Sequence, residues 1–150
     1  AAEAGVIIHE GQLFYRDHNL QEVIDLGRWW QGETGFPLPL GGNVIRKDLG
    51  KQKIKQIASM ISGSIRFALD HREEALNYAM QFAQGLDPAK GDRFVGMYVN
   101  ERTLDYGESG RQAVQLFLNR GYEAGLIPHR VVAEFMAGDL SEADGEGVGG

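Results

Sequence analysis

The chain contains no cysteine, no long hydrophobic run and no cluster of basic residues. Without cysteine it has no disulfide, no thiolate metal site and no cysteine nucleophile. No stretch approaches the roughly 20 apolar residues that a membrane-spanning helix needs. Its 15 lysine and arginine residues are scattered and the net charge is −6, which argues against nucleic acid, whose phosphates are bound by clustered basic side chains. We therefore expect neither a membrane nor a nucleic-acid partner, and the lack of cysteine fits a cytoplasmic location.

Proline is also scarce, with four residues in the chain. Two of them, Pro37 and Pro39, make residues 36–42 an extended connector because proline fixes φ and pushes its predecessor towards extended geometry. Residues 43–46 continue this connector and are a possible strand. Hydrophobic residues at helical spacing, with capping residues at their ends, predict helices over most of the rest.

The predicted helices have the following boundaries. A short helix covers residues 12–16, and a second begins after the N-cap Asp25, carries Trp29 and Trp30, and ends at Gly35. A long amphipathic helix covers residues 51–69, and the next runs from His71 to Gly85. Asp87 and Pro88 begin another helix, whose residues 94–99 could alternatively form a strand. The last two helices cover residues 107–120, ending at Gly121, and a segment that begins at Pro128 and carries Phe135 and Met136. Residues 139–150 are acidic and glycine-rich and are predicted to be disordered.

His9 is the leading candidate for a catalytic residue. It follows the apolar, β-branched residues 6–8, which predict a buried strand that ends at the imidazole. Ligands of open α/β sheets bind outside the carboxyl ends of the strands, and histidine exchanges a proton near neutral pH. A strand needs neighbours, yet the chain offers few others. We therefore expect an α/β fold of which this chain is the C-terminal portion, mostly helical, with the N-terminal half of the protein absent.

Several motifs in order resemble the 1,4-dihydroxy-6-naphthoate synthases of the futalosine route to menaquinone. They are His9-Glu10-Gly11-Gln12-Leu13, Asp25-Leu26-Gly27-Arg28-Trp29-Trp30, Thr34-Gly35-Phe36-Pro37-Leu38-Pro39-Leu40-Gly41-Gly42, and residues 64–66, 71–75, 98–101, 103–105 and 125–128. The resemblance extends to about Met136. It implies a carbon–carbon lyase that converts cyclic dehypoxanthine futalosine, a small-molecule substrate, to 1,4-dihydroxy-6-naphthoate without metal or organic cofactor, with His9 as proton acceptor.

The resemblance also implies a two-lobed fold like that of the type II periplasmic binding proteins, with the active site between the lobes. Residues 1–37 would then end the second lobe, residues 38–46 would form the hinge, and residues 47–137 would pack on the first lobe. Residues 138–150 would be the disordered tail. Because the helices of this chain have little sheet to cover, we expect the isolated chain to associate with itself.

Alternatives remain open for the other candidate residues. Glu10 and Gly11 are weaker candidates for substrate contact: Glu10 can instead interact with the helix dipole, and Gly11 can serve a turn. Trp29 and Trp30 are more consistent with packing than with stacking on a flat ligand. Tyr98, Asn100 and Glu101 are explained as a polar helix end. Two other functions remain possible, namely the chorismate dehydratase of the same pathway and a non-catalytic solute-binding protein, since fold alone does not fix function.

Overall fold

The computed structural model describes residues 3–9, 11–82 and 87–136, with only the backbone of Pro88. Seven α-helices occur in these ranges, and a single 3₁₀ turn follows α1 (Tyr15–His18) and another precedes α3 (Lys47–Leu49). The helices are α1 (Gly11–Phe14), α2 (Leu26–Thr34), α3 (Lys51–Asp70), α4 (Arg72–Met80), α5 (Pro88–Tyr98), α6 (Glu101–Leu104) and α7 (Gly107–Glu123). None of the helices in the described ranges is long and apolar enough to cross a membrane.

The expected α/β class is wrong, because the described part of the chain is helical and contains no strand. Residues 6–8 do not form the predicted buried strand: Val6 is 77% exposed and Ile8 is 64% exposed. Residues 43–46 are likewise irregular rather than a strand. A strand requires backbone hydrogen bonds from a neighbour, and the described residues supply none. The two-lobed, periplasmic-binding-protein-like fold inferred from the resemblance therefore has no support in this structure.

Helix boundaries set by local capping residues were predicted correctly. Asp25 caps α2 by accepting a hydrogen bond from the backbone N–H of Arg28 at 2.9 Å, and Gly35 ends the helix with φ of 74°. The long helix predicted at residues 51–69 is α3. Asp87 caps α5 in the same way, through the N–H of Lys90 at 3.0 Å. Residues 94–98 are helical, which decides against the alternative strand.

The predictions near the end of the chain were wrong at two points. Helix α7 continues through Gly121 to Glu123, and the left-handed residue that follows it is Gly125, with φ of 72°. No helix begins at Pro128 within the described residues, and residues 131–136 are irregular. The side-chain amide of Gln115 on α7 pairs with this segment instead. It donates to the Val131 carbonyl at 2.9 Å and accepts from the Ala133 N–H at 3.0 Å.

Two further predictions concern segments that extend beyond the described residues. Helix α4 begins at Arg72, directly after His71 as predicted, and its described part ends at Met80. Its predicted end at Gly85 lies outside the described residues. The predicted disorder of residues 139–150 lies outside them as well.

The small core of the chain joins α2 to α7. The buried hydrophobic side chains of the described residues are Trp30, Ile54 and Ala113. The Trp30 ring contacts that of Phe117 edge to face, with centroids 5.6 Å apart, and the guanidinium of Arg120 lies 5.1 Å from the indole. Trp30 is therefore a packing residue, as predicted, whereas its neighbour Trp29 is 48% exposed.

Candidate functional site

His9 occupies a tight turn immediately before α1. Its φ is 54°, a left-handed conformation that costs a non-glycine residue about 1–2 kcal/mol. The His9 carbonyl accepts two hydrogen bonds from Gln12, one from the backbone N–H at 3.4 Å and one from the side-chain Nε2 at 2.9 Å. The His9 residue is exposed. Strained backbone conformations that are held by neighbouring groups cluster at functional sites, and here the strained residue carries an exposed imidazole.

Gly11, which was predicted to contact substrate, has a structural reason to be glycine. A Cβ placed on it would lie 2.9 Å from Cγ2 of Ile7, so a larger residue at this position would require the Ile7 side chain to shift. We refer to residues 7–9 together with Gly11 as the His9 loop. Glu10 lies outside the described residues.

Helix α1 and the turn after it dock on α5. The ammonium group of Lys90 lies 4.5 Å from the centre of the Phe14 ring, a cation–π contact, and 3.9 Å from the carboxylate of Asp17. Near the other end of α5, the Gln12 Nε2 lies 3.5 Å from the hydroxyl of Tyr98. The His9 turn is thus held to a helix that follows it by about eighty residues.

Helix α5 is in turn fixed against α4. The guanidinium of Arg72 forms a 3.0 Å ion pair with Asp92 and also donates to the Asp92 backbone carbonyl at 3.0 Å. Gly91 is buried against Met80: a Cβ on Gly91 would lie 2.3 Å from the Met80 sulfur. This close approach and the Arg72 ion pair make α5 a rigid support for α1.

The segment after α5 forms a capping box at α6. The Asn100 side chain accepts from the Arg102 N–H at 3.0 Å and donates to the Gly96 carbonyl at 3.2 Å. Thr103 accepts from the Asn100 N–H at 3.1 Å and donates to the Tyr98 carbonyl at 2.8 Å. The prediction that Asn100 belongs to a polar helix end is confirmed, and the box fixes the backbone of Tyr98.

Charged groups stabilise the start of α2, close in sequence to the His9 loop. Hydrogen bonds from the Arg28 backbone N–H and guanidinium hold the pKa of Asp25 below its ordinary value. Arg28 also pairs with Glu22 at 3.1 Å, and Glu22 accepts from the Tyr15 hydroxyl at 3.2 Å. These contacts connect the 3₁₀ turn after α1 to α2.

Other parts of the described chain offer no comparable site. No three histidine, aspartate or glutamate side chains among the described residues are close enough to hold a metal ion. A hollow of about 600 Å³ at the junction of α3 and α4 is lined by residues 70–74 and Asn77, not by the His9 loop.

Gln12 is the residue of the His9 site that sequence reasoning did not single out. Its position three residues after His9, at the start of a helix, is the signal that could have identified it. A glutamine there can reach back to the carbonyl that precedes the helix.

Comparison with known proteins places the chain in a family. The model of a family described as menaquinone biosynthesis matches residues 1–123. The chain belongs to the menaquinone biosynthesis family. The family match includes the His9 loop and α1 to α7, and it stops before the segment that contains residues 131–136.

Two curated members carry the name 1,4-dihydroxy-6-naphtoate synthase. The protein from Streptomyces coelicolor is 39% identical over 84% of this chain and 45% of its own length. The protein from Thermus thermophilus is 45% identical over 75% of this chain and 41% of its own length. This chain therefore spans less than half the length of either relative.

A solved structure supports the fold of the chain. A crystal structure of a protein from Archaeoglobus fulgidus superposes with a TM-score of 0.76 at 40% sequence identity. The match covers 81% of this chain and 46% of that protein. As with the two curated relatives, most of this chain matches less than half of a longer protein.

Proposed function

We propose that this chain is part of a 1,4-dihydroxy-6-naphthoate synthase, a lyase that converts cyclic dehypoxanthine futalosine to 1,4-dihydroxy-6-naphthoate. The observation that carries the proposal is that two curated relatives with this name match most of the chain at 39% and 45% identity. Since the chain spans less than half of each relative, the proposal includes a contribution to the substrate site from the other half of such a protein.

His9 is the proposed proton acceptor of this reaction. Cleaving a carbon–carbon bond of the sugar-derived ring requires the removal of a proton, and a neutral imidazole is well suited to accept one. The exposed side chain and the held, left-handed backbone of His9 support this role. Within the described residues the imidazole has no hydrogen-bond partner, so its ring nitrogens are available to a substrate.

Gly11 and Glu10 complete the proposed site. Gly11 lies two residues after His9, and its close approach to Ile7 keeps it beside the proposed base, which is why we include it among the residues that contact substrate. Glu10 directly follows His9 in the sequence, which is why we include it among the residues that contact substrate. A cytoplasmic location also belongs to the proposal, because the chain has no cysteine for the disulfides common in exported proteins.

The direct test is an assay of the natural protein that contains this chain, with cyclic dehypoxanthine futalosine as substrate and chromatographic detection of 1,4-dihydroxy-6-naphthoate. We expect turnover without an added metal or organic cofactor. Turnover of chorismate in its place would identify the dehydratase of the same pathway. Binding of a small molecule without turnover of either compound would identify a solute-binding protein, and both results would contradict the proposal.

A further inference from the structure

Gln12 has a hydrogen-bonding pattern that its own helix does not require. An amide NH₂ group has two N–H bonds, and both of those on Gln12 have an acceptor. One acceptor is the His9 carbonyl at 2.9 Å, and the other is the Tyr98 hydroxyl at 3.5 Å. The backbone N–H of Gln12 also points to the His9 carbonyl, at 3.4 Å. One side chain therefore connects the strained turn to a distant helix.

The anchor at Tyr98 is itself fixed. The Tyr98 ring contacts that of Phe94 one turn earlier on α5, with centroids 5.2 Å apart. The Tyr98 carbonyl accepts from the Thr103 hydroxyl at 2.8 Å, within the capping box of α6. The hydroxyl group that Gln12 contacts therefore belongs to a residue whose ring and backbone are both held by neighbours.

We propose that Gln12 is a positioning residue for His9. By holding the His9 carbonyl, the Gln12 amide restrains the backbone of His9 and therefore the orientation of the side chain that this backbone carries. Two donors on one carbonyl keep the backbone in the left-handed conformation, and the Tyr98 hydroxyl keeps the amide from rotating away. This inference rests on the proposed function, since it assigns Gln12 a part in orienting the proposed base.

The test uses the natural protein that contains this chain and compares four forms of it. Gln12→Met keeps the length of the side chain and removes both N–H donors. Tyr98→Phe keeps the ring and removes the acceptor, and it provides a second variant if Gln12→Met fails to fold. Gln56→Met, at an exposed position on α3, is the matched control. For each form kcat, KM and the thermal midpoint are measured.

We expect Gln12→Met to lower kcat by about ten- to a hundredfold, the range that follows from a small misplacement of a reacting group. KM and the thermal midpoint of Gln12→Met should stay at the values of the control. Tyr98→Phe should also lower kcat, by a smaller factor than Gln12→Met. An unchanged kcat would overturn the inference, as would a change confined to KM. A fall in kcat that accompanies a fall in the thermal midpoint would show a structural role instead. An inactive parent would overturn the proposed function, and this inference with it; an active parent with unaffected variants would overturn the inference alone.

Discussion

At the scale of single residues, the Asp25 carboxylate shows how one side chain can cap a helix and have its pKa lowered by the same neighbour, Arg28. Asp25 accepts from the Arg28 N–H at 2.9 Å and from the Arg28 guanidinium at 3.0 Å. Both donors favour the ionised carboxylate, so the pKa of Asp25 in the folded chain lies below its ordinary value of 3.8. The stabilisation that Asp25 contributes is therefore complete above that ordinary value and is lost as the pH falls through the lowered pKa.

We predict that Asp25→Ala lowers the free energy of unfolding by about 1 kcal/mol at neutral pH, the usual cost of losing an N-cap. Asp25→Asn should cost less, because asparagine also caps helices. The difference between the parent and Asp25→Asn should shrink as the pH falls, since the parent carboxylate becomes protonated. Chemical denaturation at several pH values measures both effects. A difference that is the same at every pH would contradict the electrostatic part of this explanation.

At the scale of elements, capping residues close in sequence predicted helix boundaries correctly. The predictions that failed concern segments whose contacts are distant in sequence. The caps at Asp25, Asp87 and Gly35 act within four residues, and the sequence alone was enough to find them. Where a helix was predicted from Pro128, the described residues 131–136 are irregular, and Gln115, more than ten residues earlier, pairs with the backbone of Val131 and Ala133. No local pattern indicates such a pairing.

The same distinction applies to the strand and to the site. Residues 6–8 have the β-branched composition of a strand, but a strand also needs a partner that a single segment cannot reveal. His9 was identified from its motif, whereas the contact of Gln12 with Tyr98 spans 86 positions in sequence. The turn at His9 could be anticipated from the neighbouring Gly11, yet its support by α5 could not.

The close packing of α4 on α5 at Gly91 leads to a prediction about stability. Gly91→Ala should stabilise the protein by less than the up to about 1 kcal/mol that alanine gains over glycine in a helix, because the flexible Met80 side chain must shift to clear a new Cβ that would lie 2.3 Å from its sulfur. Gly63→Ala on α3 is the matched control. No atom lies within 4 Å of its added Cβ, and alanine favours a helix over glycine by up to about 1 kcal/mol.

Chemical denaturation of the two glycine variants measures these effects. We expect Gly63→Ala to raise the free energy of unfolding by more than Gly91→Ala does. Equal effects would show that the close approach of Met80 to Gly91 has no energetic consequence.

At the scale of the whole molecule, the described chain has far more exposed than buried hydrophobic surface. Its buried hydrophobic side chains are Trp30, Ile54 and Ala113, whereas Val44 is 96% exposed and Leu126 is 82% exposed. Where exposed apolar residues form contiguous patches, such patches mark interaction surfaces or aggregation sites. The relatives are more than twice as long as the segment that this chain matches, which agrees with apolar faces that another part of a protein covers.

We therefore predict that the 150-residue chain, produced by itself, self-associates. Sedimentation velocity should show species larger than the 16.5 kDa monomer, and their fraction should increase with concentration. Binding of a hydrophobic dye should accompany the association. A monomer with a cooperative thermal transition and no dye binding would contradict this prediction.

The measurement that most directly tests the central claim is the turnover number of the His9→Ala variant, made in the natural protein that contains this chain. His129→Ala, at another exposed position, is the control. If His9 accepts the proton, kcat should fall by about a hundredfold to ten-thousandfold, the usual contribution of a general base, while substrate binding measured by calorimetry persists. A kcat equal to that of the control would contradict the claim and leave His9 without a part in the reaction.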